Sequence, residues 1–189
     1  MSRREFFRLL LIGALGASLA PEVSAHTPYR QWKVLRERFL LVHSTRTDPV
    51  SDSIAEQLVA ILDEVLPEAN AMVARAPDEQ RIASLMTTGQ AVLSVMRSDQ
   101  AEELYLGRGA FHDFEGEQLR WLVAIGGYRL VTVASFPQHH AWLVTAALSE
   151  NGAALDIRPP LNNADGTSVP PHPGALAFAR GEPLEAQQG

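Results

Sequence analysis

Cysteine is absent from the 189 residues, and lysine occurs once, at Lys33. The first absence excludes disulfides, thiolate metal sites and a cysteine nucleophile, so the fold must be held by its core. The second, with a formal net charge of −6, removes the basic footprint that nucleic-acid binding requires. No internal repeat period is evident. Apolar runs of membrane-spanning length are also missing, since about 20 consecutive residues are needed at about 1.5 Å each. The longest candidate, Leu9 to Ala20, is too short and is diluted by glycine, alanine and serine.

What that run does fit is an export signal. Ser2-Arg3-Arg4-Glu5-Phe6-Phe7 precedes it and Val23-Ser24-Ala25, a small-residue cleavage site, follows. Paired arginines followed by two aromatics resemble a twin-arginine signal. Residues 1–25 are therefore expected to be a signal peptide, with a mature chain beginning at His26, soluble and periplasmic. Removing residues 1–25 from the 189 leaves 164, one domain of ordinary size. Removing their net +1 (Arg3, Arg4 and Arg8 against Glu5 and Glu22) from −6 leaves −7.

The punctuation of the rest is that of an α/β domain. Phe39-Leu40-Leu41-Val42 reads as a strand buried on both faces, followed by the polar loop His43 to Pro49. Ser53 and Glu56 have capping-box spacing, and Ile54, Leu58, Ile61, Leu62 and Val65 share one face of a helix that Pro67 ends. Ala69 to Ala74 reads as a second strand, and Asp78 to Thr88 as a second helix with Ile82, Leu85 and Met86 inward and Gly89 as its stop. Ala91 to Met96 is a third strand, and Gln100 to Leu106 a third helix. Such alternation calls for a parallel sheet with right-handed crossovers.

Leu119 to Ile125 and Tyr128 to Ser135, split by Gly126-Gly127, read as a hairpin. Pro137 then opens a helix whose apolar residues, from Trp142 to Leu148, cover most of its circumference and demand wide burial. From Gly152 the composition turns to proline, glycine and asparagine. Residues 26–151 are expected to form the α/β lobe, and residues 152–189 an irregular tail with little core-forming capacity, interrupted by one short helix at about Gly174 to Ala179.

In a doubly wound sheet, ligands lodge at the carboxyl ends of the strands. The loops expected there carry Ser44, Thr45 and Arg46, then Arg75, then Arg97 and Ser98. Hydroxyls, guanidinium groups and the free amides of a helix start suit a carboxylate or similar small anion. The alternative is that these arginines pair with Asp48, Asp78 and Asp99 and only solubilise the loops. For a hydrolase, the third choice, His43, Ser44 and Asp48 supply the atoms of a triad, but neighbours on one loop rarely reach its geometry. His139-His140 cannot jointly ligate a metal, because adjacent helical residues face apart. Neither a metal nor a cofactor is implied. Trp121, Tyr128, Phe136 and Trp142 read as core or lobe-interface residues, or as part of a protein-binding patch.

The order of these pieces resembles the TAXI family of periplasmic solute-binding proteins that serve TRAP-type transporters. The resemblance rests on the leader, the Ser44-Thr45 turn, the apolar strand running into Ser98-Asp99, and Tyr105, Gly107, Gly109 and Phe111. It continues in Leu119-Arg120-Trp121-Leu122, the helix Ala141 to Asn151 and the closing Pro171-His172-Pro173-Gly174-Ala175. It implies a single periplasmic-binding-protein-like lobe that binds instead of catalysing, with Ser44, Thr45, Ser98 and Asp99 as ligand contacts. Family members have two lobes, and most of the second has no counterpart here. Arg46-Thr47-Asp48-Pro49 and Ala76-Pro77-Asp78-Glu79 stand where the family carries glycine-bearing loops, and Arg97 where glutamine is expected. Two functions follow: a receptor for a small anion, partnered by TRAP transporter membrane subunits, a second protein lobe or a homodimer mate; or a degenerate lobe acting as a periplasmic interaction protein.

Export by the folded-protein route predicts a periplasmic species beginning at His26 and loss of export in an Arg3→Lys, Arg4→Lys double variant. Intact-mass measurement of the periplasmic fraction checks both. A species beginning at Met1, or normal export of the variant, would exclude the twin-arginine reading.

Overall fold

A computed structural model of the chain describes residues 39–161 and 166–183. The signal and its cleavage site lie outside the described residues. Those described form six strands: β1 (Leu41–Thr45), β2 (Met72–Ala76), β3 (Leu93–Arg97), β4 (Leu119–Ile125), β5 (Tyr128–Val133) and β6 (Ile157–Arg158). Five α-helices accompany them: α1 (Pro49–Val65), α2 (Glu79–Thr87), α3 (Ser98–Tyr105), α4 (Gln138–Asn151) and α5 (Pro173–Ala179). The α/β class is as the alternation implied.

All six strands join one sheet in the order β2-β1-β3-β5-β4-β6. Strands β2, β1 and β3 are parallel, whereas β5 is antiparallel to β3 and to β4, and β6 is antiparallel to β4. The sheet is thus mixed, which corrects the expectation of a mainly parallel one. The cause is the hairpin: its second strand lies between β3 and β4, so the hairpin extends the sheet with antiparallel strands. Among the two central turn residues only Gly126 takes a positive φ, at 54°, a backbone position open to glycine.

Crossover β1-α1-β2 runs to one side of β1 and β2-α2-β3 to the other, so right-handed connections place α1 and α2 on opposite faces. Helix α4 shares the α1 face and carries α5 against it, while α3 and the short turns Gly109–Phe111 and Gly116–Gln118 lie with α2. Val42, Leu58, Leu62, Ile82, Leu93, Leu104, Trp121, Leu130 and Leu148 are buried in one continuous core. Wide burial of α4 is as expected, with Ala141, Val144 and Thr145 to Leu148 all buried. Val65, at the last turn of α1, is exposed, unlike its assignment to the buried face. Among the described residues no helix is long and apolar enough to cross a membrane.

The segment after Gly152 contributes more than its composition suggests. The start of α5 approaches α4 so closely that a Cβ on Gly174 would lie 2.2 Å from the Gln138 carbonyl oxygen, so only glycine fits there. Upstream, the Trp121 N–H donates to the Pro170 carbonyl (3.3 Å) and the His172 N–H to the Trp121 carbonyl (2.9 Å). These bonds cover the outer edge of β4 at one end while β6 covers it at the other, and Val169, His172 and Ala175 are buried. A bulge between Trp121 and Val123 re-aims β4 beside this attachment. The tail is therefore part of the lobe.

Leu62 is fully buried in α1, and Gln57 is an exposed neighbour whose side chain, among the described residues, bonds to Ser53. Leu62→Ala is expected to cost about 2–5 kcal/mol by leaving a cavity, and Gln57→Ala less than about 0.5 kcal/mol. Chemical denaturation compares the two; equal midpoints would mean that the buried face is wrongly placed.

Candidate functional site

The carboxyl ends of β1, β2 and β3 meet the start of α1, and a sheet order that reverses between β2 and β3 places the topological switch beside β1. Helix α1 begins earlier than the capping-box spacing of Ser53 and Glu56 suggested. Asp48 is the N-cap, with Oδ1 accepting from the N–H of Val50 (3.0 Å) and of Ser51 (3.2 Å), and Pro49 occupies the first helical position. Aspartate is among the strongest caps and proline's fixed φ suits the first turn, so Asp48-Pro49 outcompetes the later box. The same Oδ1 accepts from the Tyr128 hydroxyl of β5 at 3.1 Å. The helix start expected to offer donors to a ligand is thus filled by the chain's own carboxylate.

Ser44 and Arg75, cross-strand partners in β1 and β2, converge on one acid. Ser44 Oγ donates to Asp52 Oδ1 at 2.8 Å, and Arg75 Nε to Asp52 Oδ2 at 3.0 Å; a second Arg75 nitrogen reaches Glu56 at 2.5 Å. Partial burial pushes the Asp52 carboxyl up, but the bonds from Ser44 and Arg75 and the Arg75 charge outweigh it and hold the acid below its ordinary range. Thr45 and Thr47 hydroxyls both donate to Glu79 Oε1, at 3.4 and 3.0 Å. Arg46 is exposed, anchored through its backbone N–H to the Ala76 carbonyl at 3.0 Å.

At the end of β3, the Arg97 guanidinium pairs with Asp99, two residues on. That hydrogen bond lowers the Asp99 carboxyl against the opposing effect of its partial burial. The Ser98 N–H donates to the Gly127 carbonyl of the hairpin turn at 2.9 Å. Tyr128, the cross-strand partner of Arg97, is pushed up to about 12 by burial and by its bond to the Asp48 carboxylate.

The sequence therefore named residues that do share one edge, in two groups: Ser44, Thr45 and Arg75 around Asp52 and Glu79 with Arg46 next in the chain, and Arg97, Ser98 and Asp99 beside Tyr128. It missed the acids and the phenol that bind them: Asp52, Glu56, Glu79 and Tyr128. Arg75 pairs with Asp52 and Glu56, not Asp78, which instead caps α2 through the Arg81 N–H at 2.8 Å. Nor do His43, Ser44 and Asp48 form a triad. Successive strand residues face opposite sides of the sheet, so His43 turns its Nδ1 to the Leu93 carbonyl while Ser44 turns to Asp52.

The aromatics expected in the core are largely there, and the alternative of an aromatic surface patch is not assembled by Trp121 and Phe136. Trp121 and Phe136 are buried, with the Arg129 guanidinium 4.4 Å from the Trp121 ring centre, and half-buried Trp142 donates to the Glu182 carbonyl. Among the described residues, no three His, Cys, Asp or Glu side chains converge as a metal site. No known protein family matches the chain, and no curated protein does.

Asp48→Ala is expected to cost about 0.5–2 kcal/mol as a lost cap, and Asp48→Asn only a fraction of that. Either change should also let the Tyr128 phenol fall from about 12 toward its ordinary value near 10. Denaturation and ultraviolet titration of phenolate absorbance check the pair; an unmoved Tyr128 would mean that Asp48 does not govern it.

Proposed function

We propose that this chain is an exported, receptor-type lobe that works by associating with another protein, not by enclosing a small anion. The observation that carries this reading is the occupancy of the carboxyl edge: its helix start holds Asp48, and Arg75 and Arg97 are bound by Asp52, Glu56 and Asp99. Exposed ion pairs hold only about 0–1 kcal/mol each, so a ligand could displace one. The edge would still repel it, because Asp48, Asp52, Glu56, Asp78, Glu79 and Asp99 outnumber Arg46, Arg75 and Arg97 by three charges. A half-cleft also buries less of a ligand than the usual 70–90%.

For association, the sheet offers an edge. Strand β4 is covered on its outer side, whereas among the described residues nothing pairs with the outer side of β2, where Met72 is 44% exposed. Uncovered edges accept an added strand through main-chain bonds. The small-anion reading, with a TRAP transporter as recipient, is kept alive by Arg46: it is exposed and, among the described residues, in no ion pair.

Titration calorimetry of the mature protein against a panel of small carboxylates is expected to show no saturable binding. Photocrosslinking from position 72 in periplasm is expected to give a discrete protein adduct that survives Arg97→Ala. A carboxylate whose affinity drops more than about tenfold in Arg97→Ala, as loss of a charge-assisted bond implies, would reverse the choice in favour of the receptor.

A further inference from the structure

His172 is buried, 2% exposed, with both ring nitrogens committed. Its Nδ1 accepts from the Gly174 N–H at 3.2 Å, which caps α5, and its Nε2 lies 2.9 Å from the Phe136 carbonyl. A carbonyl only accepts, so Nε2 carries the proton and Nδ1 must be bare. A second proton can go only to Nδ1, where it would face the Gly174 N–H. Protonation therefore turns the cap of α5 into a clash of two donors, in a site that water does not reach. We propose that His172 is an acid-sensitive latch: α5 docks on α4 and β4 while the imidazole is neutral, and acidification releases the Pro173–Ala179 segment.

The surroundings favour the neutral ring. From β4, Arg120 acts on it as a like charge. From the start of α4 come His139 and His140, the His140 ring being 6.1 Å from that of Phe136, itself 6.2 Å from His172. Helix α4 adds Glu150 at its far end, and α5 is followed by Arg180 and Glu182, which pair with each other at 3.7 Å. The Phe136 carbonyl alone would hold the cation, and it is outweighed: burial first, then Arg120, lower the His172 pKa below its ordinary value. The sign follows. A group depressed in the docked state leaves stability intact above its free pKa and removes it as pH falls below. With a free value of about 6.5, the ratio of released to docked α5 can rise up to about thirtyfold between about pH 7.5 and pH 5.

This device is independent of whether the partner is a protein or a small anion. Hydrogen exchange on the mature protein reads it directly, as protection factors for the amides of α5, of which Leu176 bonds to the His172 carbonyl at 3.1 Å. Protection of α5 is expected to fall more than about fivefold from about pH 7.5 to pH 5, while α1 is unchanged. In His172→Asn, whose amide oxygen can still cap Gly174 but which cannot titrate, α5 is expected to show no such fall. Equal falls in wild type and variant, or constant α5 protection while the His172 ring titrates by NMR, would overturn the latch. Should the variant not fold, the wild type decides: the midpoint of α5 release must coincide with that of the His172 ring carbons, and separate midpoints refute the proposal.

Discussion

One carboxylate, that of Asp48, organises the carboxyl edge of the sheet. It ends the loop after β1, starts α1 by accepting two backbone amides, and receives the Tyr128 hydroxyl from a strand two positions across the sheet. The last bond ties the inserted hairpin to the parallel half of the molecule. Each link contributes only about 1 kcal/mol or so, but together they fix where α1 begins and hence which donors remain for a ligand. The position at which an α/β lobe ordinarily presents bare amides is here satisfied from within. Filling that position stabilises the lobe and removes the strongest physical argument for anion binding.

The sequence made the elements legible because their signals are local. Pro67 ends α1, Gly89 sits at φ 67° after α2, and Gly126-Gly127 turns the hairpin. Non-local information was harder to read. Nothing in Leu119 to Val133 says that β5, not β4, will sit beside β3, so the mixed sheet was not foreseen. The capping box at Ser53 and Glu56 was a correct pattern in the wrong place: Asp48-Pro49 begins the helix five residues earlier, and Glu56 serves Arg75 instead.

The candidate site shows the same division. The strand-end positions follow from the alternation alone, and with them six of the seven named residues; Asp99 came as a ligand contact only with the family resemblance. Their partners escaped notice because Asp52, Glu56 and Glu79 read as ordinary helix-surface acids, and no local pattern links Tyr128 to a residue 80 positions earlier. Composition misled most after Gly152. The short helix expected at Gly174 to Ala179 is present, but the composition implies little core-forming capacity around it, whereas Gly174 permits the close approach of α5 to α4, and Pro170 and Pro171 lie along β4 at Trp121.

That attachment sets an order on folding. Trp121 lies in mid-chain, but its backbone partners are Pro170 and His172, about fifty residues later, and the helix that follows covers α4. Contacts so distant in sequence form late, because loop closure must precede any gain from them. Until residues 170–179 have been synthesised, one edge of β4 and one face of α4 have no cover, and an unpaired edge beside apolar surface is where chains associate wrongly. Folding thus passes through a stage open to association until residues 170–179 dock, and substitutions there would act on folding yield as well as on the finished fold.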